Sequence, residues 1–149
     1  MPEISRSNAG GDAGPDFLNV SATVGKYGVN SEGDVLLIQA MFREILPYMY
    51  GISDENIPYP TGTCDRPTLD LILKYQEMSS ISRHVKVWRD GFINRAVGSH
   101  VPGKKRIWTI TYLNEDLYYT HESQGYEGSY IDWLIGKYTE LGYYVGAYR

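Results

Sequence analysis

The side chains best suited to covalent chemistry in this sequence are one cysteine and three histidines, namely Cys64, His84, His100 and His121. A thiol beside an imidazole base could act as a nucleophile. The histidines are separated by sixteen and twenty-one residues, which matches none of the short spacings of zinc-binding motifs. Cys64 stands in a turn before a helix, where we expect it to pack. The sequence therefore predicts no metal site and no thiol-based catalysis.

Carboxylates offer a second kind of chemistry. Glu115, Asp116, Glu122 and Glu127 could supply the pair of acids that hydrolyses a glycosidic bond. They stand in a polar, tyrosine-rich stretch, and this setting favours a solvated face instead. With no catalytic residue, metal ligand or cofactor motif assigned, we predict that the protein is not an enzyme and needs no cofactor.

The charge of the chain limits the classes of partner. Its net charge is −4 at pH 7, which argues against a general nucleic-acid binder. Residues 83–106 nevertheless hold seven of the fourteen Lys and Arg, with one acid, Asp90. This basic stretch could attract an anionic polymer or an acidic partner, or it could form a solvated face beside helices. The longest apolar run, Val35 to Ile38, is too short for membrane insertion.

The first half of the chain predicts a leader and one long helix. Residues 1–20 are rich in Gly, Ser, Asn, Asp and Pro without periodicity, which indicates a flexible leader. Apolar residues then recur at spacings of three and four, as on the buried face of a helix. That stripe consists of Val35, Ile38, Phe42, Ile45 and Met49. Pro47 would clash with the carbonyl four residues back, so we predict that the helix ends near Leu46.

A second helix is predicted after Asp65, a good N-cap, with Pro67 in its first turn. Its end is predicted at Ser79 and Ser80. Residues 84–88 alternate polar and apolar side chains, which is typical of a short extended segment. The inward stripe of this second helix consists of Leu69, Ile72, Leu73 and Gln76.

The second half of the chain contains one ambiguous element and one clear helix. Residues 107–113 alternate β-branched residues as a strand does, but Ile107, Ile110 and Leu117 also fit a helical stripe. A last helix is predicted from Ser129 to Leu141, with Gly142 as a left-handed stop and an extended tail behind it.

The order of these motifs resembles the peptidoglycan-binding-like helical repeat of bacterial cell-wall enzymes and secretion-associated proteins. The match covers residues 21–121. It depends on Asn30, Asp34 and Val35, on Ile38-Gln39, on Gly62 six residues before Thr68, on Tyr75-Gln76, and on Asp90-Gly91 with Ile93. In that family a helix with a Thr-Ile-x-x-Leu-Asn-like pattern follows the later turn, as in residues 109–114. The resemblance therefore favours a helix over a strand for residues 107–113.

The resemblance implies an all-α fold, a small helical bundle with a peptidoglycan-binding-like three-helix core. A C-terminal helix and tail, residues 122–149, would pack on the same domain. In such a core Asp34 can satisfy free N–H groups at the start of the first helix. Gln39 and Gln76 can tie helices to loops through amide hydrogen bonds.

The function implied by the resemblance is non-catalytic binding of a peptidoglycan glycan or stem peptide. Such a ligand needs aromatic faces, amides and a few charges along a groove. The residues that could provide these are Tyr48, Tyr50, Tyr59, Trp88 and Arg89. Because residues 1–20 lack the apolar region of a secretory signal, we expect synthesis in the cytoplasm and a place in the cell wall or periplasm only through a dedicated export route.

The alternative function is a protein–protein adaptor or accessory protein of a secretion or phage-like system. Tyrosine is enriched at protein interfaces, and the C-terminal part of the chain is rich in it. The tyrosines concerned are Tyr118, Tyr119, Tyr126, Tyr130, Tyr143, Tyr144 and Tyr148. They could equally form a subsidiary aromatic core around Trp133.

Overall fold

The computed structural model describes residues 1–98 and 107–145, and it is mainly helical. The predicted fold class is confirmed at that level. The helices are α1, Glu32–Tyr50, α2, Arg66–Arg83, α3, Thr109–Ser123, and α4, Tyr130–Lys137. Short 3₁₀ segments occupy Asn8–Ala13, Asp54–Asn56 and Thr139–Tyr143. Two small antiparallel pairs accompany the helices: β1, Glu3–Arg6, with β2, Asp16–Asn19, and β3, Val24–Gly25, with β4, Phe92–Ile93.

Residues 1–20 are folded, and the prediction of a flexible leader is wrong. Strands β1 and β2 form a hairpin, with Glu3 opposite Asn19, and the 3₁₀ segment between them lies against α3. Phe17 and Leu18 are fully buried. The backbone N–H of Leu18 donates to Asn114 Oδ1 and the Asn114 amide donates to the Leu18 carbonyl, each at 2.8 Å. The few apolar residues of this segment therefore suffice, because Ala9, Phe17, Leu18 and Val20 are all fully buried in the core.

Helix α1 continues through Pro47 to Tyr50 and ends at Gly51, whose φ of 68° is left-handed. The predicted end near Leu46 is wrong. Tyr50 explains the difference, since its ring packs edge-on against Tyr75 at 6.1 Å and its hydroxyl donates to a buried carboxylate. These tertiary contacts hold the last turn in place against a local proline penalty of about 3 kcal/mol.

Helix α2 begins as predicted, because Asp65 Oδ1 accepts hydrogen bonds from the backbone N–H and the hydroxyl of Thr68. It ends later than predicted, at Arg83, with His84 in the left-handed conformation at φ 56°. The guanidinium of Arg83 is bound in the interior, which extends the helix by a turn. Residues 84–88, predicted as a short extended segment, begin with His84 in the left-handed conformation and belong to no strand of the two described sheets.

Residues 109–123 are helical, so the choice of helix over strand is confirmed. Burial favours the helix, since Ile110, Leu113 and Leu117 lie on one face of α3 and are fully buried. Helix α4 starts after Ser129, whose side chain accepts from the Asp132 N–H. It is shorter than predicted, and Gly142 lies inside a 3₁₀ segment instead of acting as a left-handed stop.

The carboxylate of Asp34 binds backbone N–H groups of the segment before α1 and the hydroxyl of the N-cap residue Ser31, instead of the N–H groups of the first turn as expected. Its oxygens accept hydrogen bonds from the backbone N–H groups of Ser21 and Ala22 at 2.9 and 3.1 Å. The hydroxyl of Ser31 donates to it at 2.6 Å. Asp34 thus joins the segment after β2 to helix α1.

Gln39 ties α1 to the turn that leads into α2. Its Oε1 accepts from the backbone N–H of Gly62 at 2.9 Å, and its Nε2 donates to the Thr63 carbonyl and to Thr68 Oγ1. Gly62 has a φ of 81°, which glycine adopts without strain. The prediction that this glutamine links a helix to a loop is confirmed.

Gln76 repeats this arrangement one helix later. Its Oε1 accepts from the backbone N–H of Gly91 at 3.0 Å, and its Nε2 donates to the Phe92 carbonyl and to Thr109 Oγ1. Gly91 has a φ of 78°. In each case a glutamine binds the turn after its own helix and a threonine at the start of the next. Helices α1, α2 and α3 are therefore connected by two equivalent sets of hydrogen bonds.

Replacing Gln76 with leucine tests this connection. We expect Gln76→Leu to lower the free energy of unfolding by about 1–3 kcal/mol, because the buried N–H of Gly91 loses its acceptor. Urea denaturation measures the change. Gln124→Leu is the matched control, since Gln124 is exposed and its side-chain amide donates to the Thr120 carbonyl in the last turn of α3. Equal effects of the two substitutions would contradict the structural role of Gln76.

Candidate functional site

An open cleft of about 480 Å³ lies between the second half of α1, the loop before α2 and the end of α4. We call it the tyrosine groove, after Tyr48, Tyr59 and Tyr138. Its other lining residues are Arg43, Glu44, Pro47, Asp54, Gln124 and Lys137. Its volume lies in the range of small-molecule and cofactor sites.

Tyr59 is the most exposed ring of the groove, with 67% of its surface accessible. The guanidinium of Arg43 lies over this ring, 5.2 Å from its centre. Arg43 is itself held by a hydrogen bond of 2.8 Å from Nη1 to the Ile57 carbonyl. The centre of the Tyr138 ring is 6.4 Å away. One side of the Tyr59 ring is therefore supported by the protein while most of its surface faces solvent.

The wall of the groove is held together by Glu44. Lys137 Nζ donates to Glu44 Oε1 at 2.8 Å, and the hydroxyl of Tyr138 donates to Glu44 Oε2. Burial and the adjacent Glu44 carboxylate raise the pKa of Tyr138 well above its ordinary value, so the phenol stays protonated and keeps donating. These bonds join the end of α4 to α1, and the groove is formed before any ligand arrives.

The groove is suited to binding. Aromatic faces pack against the apolar face of a sugar ring or against peptide side chains, and the surrounding charged and amide groups accept or donate hydrogen bonds. Its most buried carboxylate, Glu44, already accepts from two donors. Within residues 1–98 and 107–145, no group of three or more His, Cys, Asp or Glu side chains is placed to hold a metal ion.

The structure separates the five predicted ligand-binding residues. Tyr48 and Tyr59 both line the groove. Tyr50 does not, since its hydroxyl points to the interior and donates to Asp116. Trp88 lines a different cleft, near β4 and the start of α3, and Arg89 lies 3.7 Å from Glu77.

Sequence reasoning missed the other seven groove residues, among them Arg43, Glu44, Lys137 and Tyr138. Tyr138 lies within the predicted last helix, and no local signal marked it or the others as part of a groove. Glu44 and Lys137 are 93 residues apart in sequence, so no spacing along the chain could have paired them.

A buried polar network surrounds Asp116, which is 1% exposed. Arg83 Nη2 donates to Asp116 Oδ1 at 2.7 Å, and the hydroxyls of Tyr75 and Tyr50 donate to Oδ2 at 2.6 and 3.1 Å. Burial, followed by the charge of Asp116, raises the pKa of Tyr75 well above its ordinary value. Burial, the largest single influence, acts to lower the pKa of Arg83, but the hydrogen bond to Asp116 and the charges of Tyr75, Asp116 and Tyr50 together outweigh it, and the pKa is raised. The network is a structural anchor in which each group has a partner.

Arg83 therefore does not belong to an exposed basic face, as its place in the basic stretch suggested. Arg95, another member of that stretch, donates to Glu3 at 2.6 Å and ties β1 to the loop after β4. Lys104, Lys105 and Arg106 lie outside the described residues. Two of the basic residues thus serve the fold through ion pairs.

Cys64 is partly buried against the hydrophobic core. Burial raises the pKa of its thiol, which is the opposite of what an activated nucleophile needs. His84 is exposed at the end of α2, and His121 packs 5.4 Å from Trp133. His100 lies outside the described residues.

The C-terminal tyrosines divide between the interior and the surface. Tyr130 is buried, and Tyr126 stacks on Trp133 with ring centres 5.2 Å apart. Tyr119, Tyr126 and Tyr143 are exposed. Tyr118 and Tyr144 are partly buried and packed against the core, and Tyr148 lies outside the described residues. The sequence left open whether these tyrosines form a subsidiary core or a partner surface. The buried ones could belong to such a core and the exposed ones to such a surface.

In the described part of the chain, none of the helices combines the length and apolar character needed to cross a bilayer. Comparison of the chain with protein-family models, curated proteins and solved structures found no match to any of them. The function is therefore inferred from the geometry of the tyrosine groove.

Proposed function

We propose that this protein is a non-catalytic binding module for peptidoglycan, and that the tyrosine groove holds a stretch of the glycan or its stem peptide. The observation that carries the proposal is Tyr59, an exposed ring supported by Arg43 beside a preformed cleft. An immobilised aromatic ring loses little side-chain entropy when a ligand packs on it, which favours binding.

A peptidoglycan-binding-like core of α1, α2 and α3 is part of this proposal. Two observations support it: the equivalent hydrogen bonds of Gln39 and Gln76, and the glycine turns at Gly62 and Gly91 that these glutamines bind. These are the residues on which the resemblance depends. In this view α4 and the segment after it are an addition that completes one wall of the groove.

The polar groups of the groove fit a neutral or weakly charged polymer. Arg43 and Lys137 carry positive charge, and Glu44 and Asp54 carry negative charge, so neither sign prevails. A glycan strand with its peptides presents hydroxyl, amide and carboxylate groups, and each finds a complementary partner here. Export by a dedicated route, or release by lysis, would bring the protein to the wall.

Co-sedimentation with purified murein sacculi at low salt tests the proposal. We expect wild-type protein to pellet with sacculi and Tyr59→Ala to bind about tenfold more weakly, which corresponds to about 1.4 kcal/mol of lost contact. Tyr27→Ala is the matched control, because Tyr27 is 88% exposed and does not line the groove. Folded wild-type protein that stays in the supernatant would contradict wall binding.

A second candidate function is a protein–protein adaptor or accessory protein of a secretion or phage-like system. It is favoured by the exposure of Tyr119, Tyr126 and Tyr143, which could anchor a partner. Analytical ultracentrifugation with products of neighbouring genes separates the two candidates. A complex weakened by Tyr143→Ala would support the adaptor, and a strict monomer that binds murein would contradict it.

A further inference from the structure

The turns at Gly62 and Gly91 are equivalent in their hydrogen bonds. In both, a glutamine Oε1 accepts from the glycine N–H, and the same side chain's Nε2 donates to the carbonyl of the next residue, Thr63 or Phe92. The glycine φ angles differ by only a few degrees. Residues at the same sequence distance from Gly62 and from Gly91 can therefore be compared as equivalent positions.

Tyr59 and Trp88 occupy matching positions in these two turns. Tyr59 lies three residues before Gly62, and Trp88 lies three residues before Gly91. Both rings are exposed, Trp88 at 45% of its surface. The repeat therefore places a second accessible aromatic ring beside the second turn.

A cation also lies over each ring. Arg43 is 5.2 Å from the centre of Tyr59, and Lys86 Nζ is 5.4 Å from the centre of Trp88. A cation near an aromatic ring is attracted by its quadrupole and restrains it. The two sites share an aromatic ring, a nearby cation and a glutamine-bound turn.

The cleft beside Trp88 is small, about 40 Å³, and has mixed walls. Phe92 and Trp108 supply apolar surface, while Asp90 and Asn94 supply polar groups. The hydroxyl of Thr23 donates to Asn94 Oδ1 at 2.7 Å and orients that amide. A cavity of this size admits a few atoms and no sugar ring. An acetamido substituent matches it, with its methyl on the apolar wall and its amide beside the polar one.

We propose that Trp88 and this cleft form a second glycan-binding site. This site binds an N-acetylated sugar of the same kind of glycan strand that the tyrosine groove binds. The proposal rests on the proposed function for its ligand class and adds a second point of attachment. Two sites on one molecule raise the effective concentration of the second contact, so a long strand binds more tightly than a short one.

The stoichiometry of a short ligand tests the second site directly. The probe is a β-1,4-linked trimer of N-acetylglucosamine, titrated calorimetrically against the full chain. We expect two sites for wild-type protein and one for either Tyr59→Ala or Trp88→Ala. The corresponding glucose trimer, which lacks acetamido groups, should lose binding at the Trp88 site.

Sacculi binding tests the consequence of two sites. We expect Trp88→Ala to weaken co-sedimentation at least tenfold, Trp88→Phe to restore most of it, and Tyr27→Ala to leave it unchanged. Unchanged thermal melting of the phenylalanine variant shows that the fold is intact. If the alanine variant fails to fold, the number of trimer sites on wild-type protein still decides the question.

The outcomes separate the two proposals. A single trimer site on wild-type protein that Tyr59→Ala abolishes and a folded Trp88→Ala variant leaves unchanged, with sacculi binding intact, overturns the second site alone. Absence of both trimer and sacculi binding in folded wild-type protein overturns the proposed function and the second site together. Equal binding of the acetylated and plain trimers overturns the assignment of the acetamido group to the Trp88 cleft.

Discussion

Deletion of residues 1–20 is expected to unfold the protein at 25 °C. This segment buries Phe17, Leu18 and Val20 completely, and each contributes about 1.5–3 kcal/mol through removal from water. Their combined contribution approaches the whole stability of a typical domain, about 5–15 kcal/mol. The deletion also removes the N–H and carbonyl of Leu18 that bind the buried Asn114 amide. Far-ultraviolet circular dichroism and thermal melting measure the loss of helix.

Point substitutions provide the matched controls for this deletion. Phe17→Ala should cost about 3–5 kcal/mol, as large-to-small changes in a packed core do. Arg6→Ala, at an exposed position of the same hairpin, should change the free energy of unfolding by less than about 1 kcal/mol. A truncated protein that melts cooperatively at the wild-type temperature would contradict the packing of the hairpin on α3.

Replacement of Arg83 is expected to destabilise the protein by about 3–5 kcal/mol, because Arg83→Ala leaves the buried carboxylate of Asp116 without its charged partner. Desolvation of an unpaired charge dominates this cost, and the hydroxyls of Tyr50 and Tyr75 compensate only in part. Urea denaturation should show a lower midpoint with an unchanged slope.

The exposed pair of Arg66 and Asp70 supplies the control. Its two side chains, at 3.1 Å, are 84% and 61% exposed. Pairs of this kind contribute about 0–1 kcal/mol, so Arg66→Ala should barely move the midpoint. Similar effects of Arg83→Ala and Arg66→Ala would show that the interior network does not stabilise the fold. The double variant with Asp116→Asn should recover part of the loss, since it removes the unpaired charge.

The amino-acid sequence by itself determined the elements whose signals are local. The stripe through Val35, Ile38 and Phe42 predicted α1 because a helix repeats every 3.6 residues. Asp65 predicted the start of α2 because its side chain bonds within its own turn. Gln39 and Gln76 were also predicted to link helices to loops, and the structure has both links.

The tertiary structure alone decided the features whose partners are distant in the sequence. The hairpin of residues 1–20 depends on a bond between Leu18 and Asn114, 96 residues apart. The last turn of α1 depends on contacts from Tyr50 to Tyr75 and Asp116. These partners are too far apart in the sequence for a local pattern to reveal them. Composition therefore wrongly indicated a flexible leader, and Pro47 wrongly indicated the end of α1.

The candidate site divides in the same way. Exposed aromatic residues in loops, such as Tyr59 and Trp88, could be proposed from the sequence because loops carry such groups to the surface. The ion pair of Glu44 and Lys137, which shapes the groove, could not, since 93 residues separate its members. Local periodicity and capping determine which segments are helical, whereas contacts between distant side chains determine where the helices end and what surface they form together.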